Sequence, residues 1–276
     1  MRFADADDEY GESEFVIAGI PLEATVSFRR GTAFGPQRTR EASYGFEPYL
    51  QRYGVGLDEI GVHDYGDLDV WNSPEEVIGF GEDVIEGFVN DGKTPVLIGG
   101  EHTVSLAGVR ATQPDVFVSI DAHLDLKDEF EGSRYSHACV TRRTLEEEVD
   151  AVVVGARAGS RQEYRRANED DVRVVTADGF SFEKVEEALE GYDRPYISVD
   201  LDALDPGYVP GVGTPEPYGL EPREVRDVVE DTASEYDAVG FDVVEACPSH
   251  GSGEASLLGA KLLRGFVGAS VSQSQP

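Results

Sequence analysis

The chain has 276 residues, 40% of them hydrophobic and 9% aromatic, enough to bury a substantial core in one large α/β unit. Asp and Glu number 55 against 23 Lys and Arg, and the resulting net charge of −32 argues against nucleic acid or anionic lipid as partners, since both are polyanions. No apolar run approaches the roughly 20 residues needed to span a membrane, and residues 1–14 lack the basic and apolar regions of a signal peptide, so the expected location is cytoplasmic and that acidic segment is expected to be a flexible tail.

The acid is spread along the whole chain, and lysine occurs only at Lys93, Lys127, Lys184 and Lys261. This composition suits a cytoplasm of molar salt, where the Debye length shrinks to about 3 Å; the charge is read as salt adaptation and not as a binding face. Cys139 and Cys247 are too few for a disulfide framework, and each is expected to be a free buried thiol.

In chain order, F-V-I-A-G-I at Phe15 to Ile20 reads as a first buried strand, followed by a polar loop from Leu22 to Gly35. Pro36 stands at a plausible first helical position. A short strand over Ile60 to Asp67 comes next, and then Ser73 with Glu76 three residues later, a capping box before a helix from Pro74 to Asn90 whose apolar residues recur at helical spacing. Strands are expected at Thr94–Ile98, Val116–Ile120, Ala151–Val154, Val172–Val175, Tyr196–Val199 and Ala238–Val244. Helices alternate with them near Thr103–Arg110, Arg161–Asn168, Phe182–Leu189, Arg223–Ser234 and Ala255–Val267. Such alternation predicts a parallel sheet covered on both faces, and the absence of a linker or internal repeat predicts one domain over 1–276.

In that architecture ligands bind beyond the carboxyl ends of the strands, and the unusual polar residues gather there. Gly99-Gly100-Glu101-His102-Thr103 follows one strand, Asp121-Ala122-His123-Leu124-Asp125 the next, Asp200-Leu201-Asp202 a third, and Glu245 a fourth. In an extended backbone the i, i+2, i+4 spacing of Asp121, His123 and Asp125 turns two carboxylates and an imidazole to one side. Taken alone, D-x-H-x-D is equally a solvated strand end. Four strand ends supplying His102, Asp121, His123, Asp125, Asp200, Asp202 and Glu245 point instead to a cation, because so many buried acids would otherwise repel one another. Carboxylates with two imidazoles and no thiolate favour Mn²⁺ over Zn²⁺ or Cu, with Mg²⁺ a weaker alternative, and the number of acids suits two metals about 3.5–4 Å apart. Asp205, just before Pro206, reads as a turn residue, and His63 and His250 lack partners that would make them ligands.

These motifs, with P-G-V-G-T-P at Pro210 to Pro215 and D-V-V-E at Asp242 to Glu245, resemble the ureohydrolase (arginase/agmatinase) family across nearly the whole chain. The resemblance implies a three-layer α-β-α sandwich around a mostly parallel sheet, and two Mn²⁺ per subunit. One would be held by His102, Asp121, Asp125 and Asp200, the other by His123, Asp121, Asp200 and Asp202, with Asp121 and Asp200 bridging. Gly19 to Gln37 and Arg134 to His137 resemble the agmatinase branch, although Ala138-Cys139 stands where agmatinases often have Gly-Thr. The loop after Asp125 lacks the Asn and Ser with which arginases hold an α-carboxylate, and acidic Asp128 and Glu129 would suit a substrate whose far end is an amine, an argument that Lys127 weakens.

The expected reaction is hydrolysis of a guanidino C–N bond, foremost agmatine and water to putrescine and urea. Glu245 would pair with the guanidinium, Asp125 would pass a proton to the leaving amine, and His137, with an ordinary pKa near 6.5, would shuttle protons at the pocket mouth. The alternatives are a ureohydrolase acting on arginine, guanidinobutyrate, another guanidino acid or formiminoglutamate; a related one-zinc deacetylase, against which His123 and Asp202 argue; and a non-catalytic metal-binding homologue. The expected partner is a small cationic guanidino substrate, and the resemblance implies a homo-oligomer, a trimer or hexamer.

Overall fold

The computed structural model describes residues 1–70 and 73–272. Eight parallel strands make the central sheet: β1 (Phe15–Ile20), β4 (Val62–Asp67), β5 (Thr94–Gly99), β6 (Val116–Ile120), β7 (Asp150–Ala156), β8 (Val172–Thr176), β9 (Pro195–Asp200) and β10 (Gly240–Val244). The short strands β2 (Tyr49–Leu50) and β3 (Val55–Gly56) pair separately as an antiparallel hairpin. The spatial order is β4-β1-β5-β10-β9-β6-β7-β8. Central strands are buried along nearly their whole length, which explains why they read as continuous runs of Val, Ile and Phe instead of alternating patterns.

Among the described residues eight α-helices cover the sheet: α1 (Gly35–Ser43), α2 (Pro74–Asn90), α3 (Ser105–Thr112), α4 (Val140–Glu146), α5 (Arg161–Arg166), α6 (Phe182–Leu189), α7 (Pro222–Glu235) and α8 (Glu254–Ser272). Side chains of α2, α3 and α4 pack with Val16, Leu97, Phe117, Tyr196 and Val244 on one face. Those of α6, α7 and α8 pack with Ile17, Val96, Val118, Ile197 and Val243 on the other. Alternate residues of each strand thus serve opposite layers, as the pleat requires, and the expected α/β sandwich is the observed one. The Ser73–Glu76 box closes in both directions, Ser73 Oγ accepting the Glu76 N–H and Glu76 accepting the Ser73 N–H.

Three features differ from the expectation. The hairpin of β2 and β3 and helix α4 were not anticipated, because two-residue strands and a seven-residue helix carry too little periodicity to read. Several element ends move by one or two residues, β10 starting at Gly240 and not Ala238, and α8 runs five residues further, to Ser272. The first 14 residues are not a free tail. Phe3 and Ala6 are buried, Asp7 bridges to His63 of β4, and the Phe3 N–H donates to Asp64 at 2.6 Å. Asp64 also takes both Nε and Nη2 of buried Arg40, so one acid ties the N-terminus, α1 and β4 together. Apolar Phe3 and Ala6 outweigh the acidity of the segment, since burying a Phe stabilises by about 2 kcal/mol.

Candidate active site

The four adjacent central strands β5, β10, β9 and β6 end at one edge, and each delivers polar residues there. β5 gives way to Gly100, where a Cβ would lie 2.1 Å from the Leu22 carbonyl oxygen; only glycine lets the two backbones approach so closely. The chain then enters a 3₁₀ turn at His102–Val104 that drops His102 into the interior, wholly buried. β6 ends at Ile120, and Asp121–Asp125 is no regular strand: His123 makes an isolated parallel bridge to Ala158, and Asp125 lies at φ 49°, in the left-handed region. The three groups of D-A-H-L-D do converge, but the extended alternation breaks at Asp125. After β9 a second 3₁₀ turn, Leu201–Ala203, folds Asp202 back beside Asp200, whose Oδ1 accepts the Asp202 N–H at 2.8 Å. Glu245, after β10, is also left-handed at φ 61°.

His102 Nδ1 stands 3.1 Å from Asp121 Oδ2, 3.1 Å from Asp125 Oδ2 and 3.5 Å from Asp200 Oδ2. His123 Nδ1 is 3.0 Å from Asp202 Oδ2 and 3.6 Å from Asp121 Oδ1. Two groups of donor atoms result, His102–Asp121–Asp200 and Asp121–His123–Asp202, each within 4.8 Å, and Asp121 belongs to both. His102 Nδ1 and Asp121 Oδ2 are buried and lack a hydrogen bond despite their proximity. Leaving such groups unsatisfied costs about 1–3 kcal/mol each. Converging carboxylate and imidazole donors with unspent lone pairs fit a hard divalent cation.

The electrostatics agree. Burial, reinforced by Asp121 alongside, pushes the Asp125 carboxyl up to about 6, and burial with Asp202 and Asp121 nearby pushes Asp200 well up. Burial would raise Asp121 too, but His102 and His123 hold it below the usual carboxylate range. Both imidazoles resist desolvation and are pushed up by the acids, His123 to about 12. The protein alone therefore needs protons to keep these acids together, a role that a divalent cation fills.

Glu245 lies beside the cluster, fully buried. Its Oε1 accepts the backbone N–H of His102 at 3.0 Å and lies 3.4 Å from His137 Nδ1, while Oε2 makes no hydrogen bond. Gly213 faces it, and a Cβ there would come within 2.8 Å of Oε2. The other His137 nitrogen, Nε2, is 3.1 Å from Ser27 Oγ. Burial disfavours the charged His137 ring, but Glu245 beside it wins, and the ring is pushed up to about 9.

Sequence reasoning overlooked several supports. Buried Glu101 accepts the N–H groups of Ala24 and Thr25 and the Thr25 hydroxyl, and Thr25 Oγ1 accepts the His137 N–H at 2.9 Å. The loop after β1 is thereby strapped over the site, and the only signal was a glutamate inside G-G-E-H-T. Thr214 donates to Asp202 Oδ2 at 2.8 Å, and Glu216 reaches within 3.9 Å of His123 Nε2. Asp128, expected to meet substrate, does not join this group. Its carboxylate is exposed and bound at 3.1 Å by Nη2 of Arg143, which holds it below the usual carboxylate range. Asp205 is the turn residue expected, accepting from Gly207, Tyr218 and Gly219. His63 and His250 bond to backbone carbonyls away from the cluster, and Cys139 and Cys247 are free and buried.

An eight-stranded parallel α/β sandwich thus carries a carboxylate–imidazole cluster at the carboxyl edge of its sheet, with buried Glu245 beside it. Residues 13–268 match the arginase family model. The chain is 33% identical to the agmatinase of Pyrococcus horikoshii over 262 residues, covering 94% of this chain and 93% of that one. It is 34% identical to the N(1)-aminopropylagmatine ureohydrolase of Thermococcus kodakarensis, covering 94% and 91%. The agmatine ureohydrolase structure from Thermoplasma volcanium superposes with a TM-score of 0.93 at 37% identity, covering 99% of this chain and 95% of that one. The chain belongs to the arginase family. Among the described residues no helix is long and apolar enough to cross a membrane.

Proposed function

We propose that the protein hydrolyses agmatine to putrescine and urea with two Mn²⁺ per subunit. The observation that carries the reading is Glu245: a buried carboxylate oxygen without a hydrogen bond, facing a glycine and adjoining the cluster, suits a planar guanidinium. His102, Asp121, Asp125 and Asp200 would hold one metal, and His123, Asp121, Asp200 and Asp202 the other. Bound there, the metals lower the pKa of water so that a strong nucleophile exists near neutral pH.

The chain's own residues do the rest. Glu245 orients the guanidinium carbon toward the carboxylates, converting a bimolecular encounter into a positioned one. Asp125 passes a proton to the departing amine. His137, between Glu245 and Ser27, relays protons at the mouth. Thr25 and Glu101 fix the His137 backbone so that its ring stays in reach.

The named relatives favour a second, longer substrate as well: several act on N(1)-aminopropylagmatine, which carries the same guanidinium. The test is urea release in high KCl with added Mn²⁺, across agmatine, N(1)-aminopropylagmatine, arginine, guanidinobutyrate and formiminoglutamate. The expected result is turnover of an amine-ended guanidine well above that of the acids. Preference for arginine would overturn the substrate assignment.

A further inference from the structure

Behind His102, on the side away from the carboxylates, lies a polar chain inside the sheet layer. His102 Nε2 is 3.1 Å from Ser198 Oγ, and Ser198 donates to Asp242 Oδ1 at 2.6 Å. Ser105 of α3 places its hydroxyl 3.2 Å from Ser198 Oγ. All four residues are fully buried. Strand register explains the arrangement: Ser198 of β9 pairs directly with Asp242 of β10, so both side chains leave the same face of the sheet. Around them that face is built from Leu97, Phe117, Tyr196 and Val244.

A carboxylate in such a layer is costly. Among the described residues Asp242 has no lysine, arginine or histidine within ion-pair distance, and burial pushes its carboxyl up, against the pull of Ser198 and His102. An isosteric apolar core would be as stable or more so, so packing alone does not account for the chain of polar groups.

Proton counting shows what the chain accomplishes. A serine hydroxyl has one hydrogen. With Asp242 ionised, Ser198 gives its hydrogen to that carboxylate, the serine oxygen then only accepts, and His102 Nε2 is the donor. The remaining nitrogen, Nδ1, then carries the lone pair, and it is the atom facing Asp121, Asp125 and Asp200. We propose that Ser198 and Asp242 are positioning residues that lock His102 with its Nδ1 lone pair toward the cluster and thereby set the cation affinity of the His102 side. The inference rests on the metal reading given above. Among the described residues His123 has no such relay, and its Nε2 meets only the half-exposed Glu216, at 3.9 Å. The effect is therefore confined to one of the two sides.

The test is Mn²⁺ binding to the full-length protein, followed by the EPR signal of free Mn²⁺ at high KCl, with circular dichroism confirming the fold. Ser198→Ala and Asp242→Asn should each weaken one class of Mn²⁺ site by about 10–100-fold, the usual cost of losing a group that orients a ligand imidazole, and leave the other class unchanged. Ser198→Thr, which keeps the hydroxyl, should restore binding. Ser119→Ala is the control. Ser119 pairs with Ser198 from the neighbouring strand β6, is buried, and makes no hydrogen bond, so its loss should leave both classes intact. Wild-type affinity in both Ser198→Ala and Asp242→Asn overturns the relay while leaving the metal reading standing. Equal weakening by Ser119→Ala reduces it to a packing effect and also overturns it. A wild-type protein that binds no Mn²⁺ overturns both.

Discussion

His102 and His123 both turn Nδ1 toward the carboxylates, yet what stands behind them differs. His102 is wholly buried, its Nε2 against Ser198 Oγ, which in turn donates to Asp242 within the sheet layer. His123 sits on an irregular loop with a quarter of its side chain exposed, its Nε2 opposite Glu216 at the rim. One wall of the site belongs to the core. The other belongs to loops, Asp121–Asp125 and the segment carrying Thr214 and Glu216, where a change of side chain need not disturb the sheet. The two walls thus differ in depth: one imidazole is braced by buried groups of the sheet, the other stands partly exposed on a loop.

Replacing the two histidines breaks the comparison most forcefully. His102→Ala and His123→Ala should both abolish urea release and Mn²⁺ binding at the affected group. Only His102→Ala should also lower the free energy of unfolding of the metal-free protein, by about 1–3 kcal/mol, because it removes one partner of buried Ser198 and leaves a cavity in the core; His123→Ala should cost less than about 1 kcal/mol. Denaturant titrations in EDTA measure the difference, and equal losses would show the two walls to be alike.

Next in size, Glu245→Gln should retain Mn²⁺ and lose about 10²–10³-fold in kcat/KM, the usual cost of removing one member of a buried charge pair. Normal turnover in that variant would remove Glu245 from the guanidinium.

A smaller effect concerns pH. The folded pKa of His137, about 9, lies above its ordinary 6.5, so the His137–Glu245 contact contributes fully below about pH 6.5 and is lost as pH rises through 9. In the metal-free protein this amounts to on the order of 1–3 kcal/mol, and His137→Gln should flatten the fall in stability between those values. Parallel stability curves for the two proteins would show that the pair does not form.

The smallest effect belongs to the outer loop: Asp128→Asn should change kcat/KM by less than about threefold, because the carboxylate is exposed and already spent on Arg143. A tenfold loss on agmatine alone would return Asp128 to substrate recognition.

How much of this was legible in the sequence follows the same division by depth. Central strands announce themselves as apolar runs, and polar residues that interrupt the chain directly after them stand out, so His102, Asp121, Asp200 and Glu245 were readable without coordinates. Ser198 and Asp242 lie within quoted motifs yet passed unnoticed, since a serine or an aspartate inside a strand becomes meaningful only when register pairs it with another. Thr25 and Glu101 are 76 residues apart in sequence, and no local pattern joins them. Asp128 shows the converse: an acid beside the motif reads as a site residue, and its bond to Arg143, on a helix too short to predict, is visible only in the structure. The N-terminal segment was misjudged on charge, when two apolar residues decided its place.

The most direct test of the central claim is anomalous diffraction at the manganese edge from crystals soaked in Mn²⁺. Two peaks flanking Asp121, one against His102 and Asp200 and one against His123 and Asp202, are the predicted result. A single peak, or none within reach of Asp121, would contradict it.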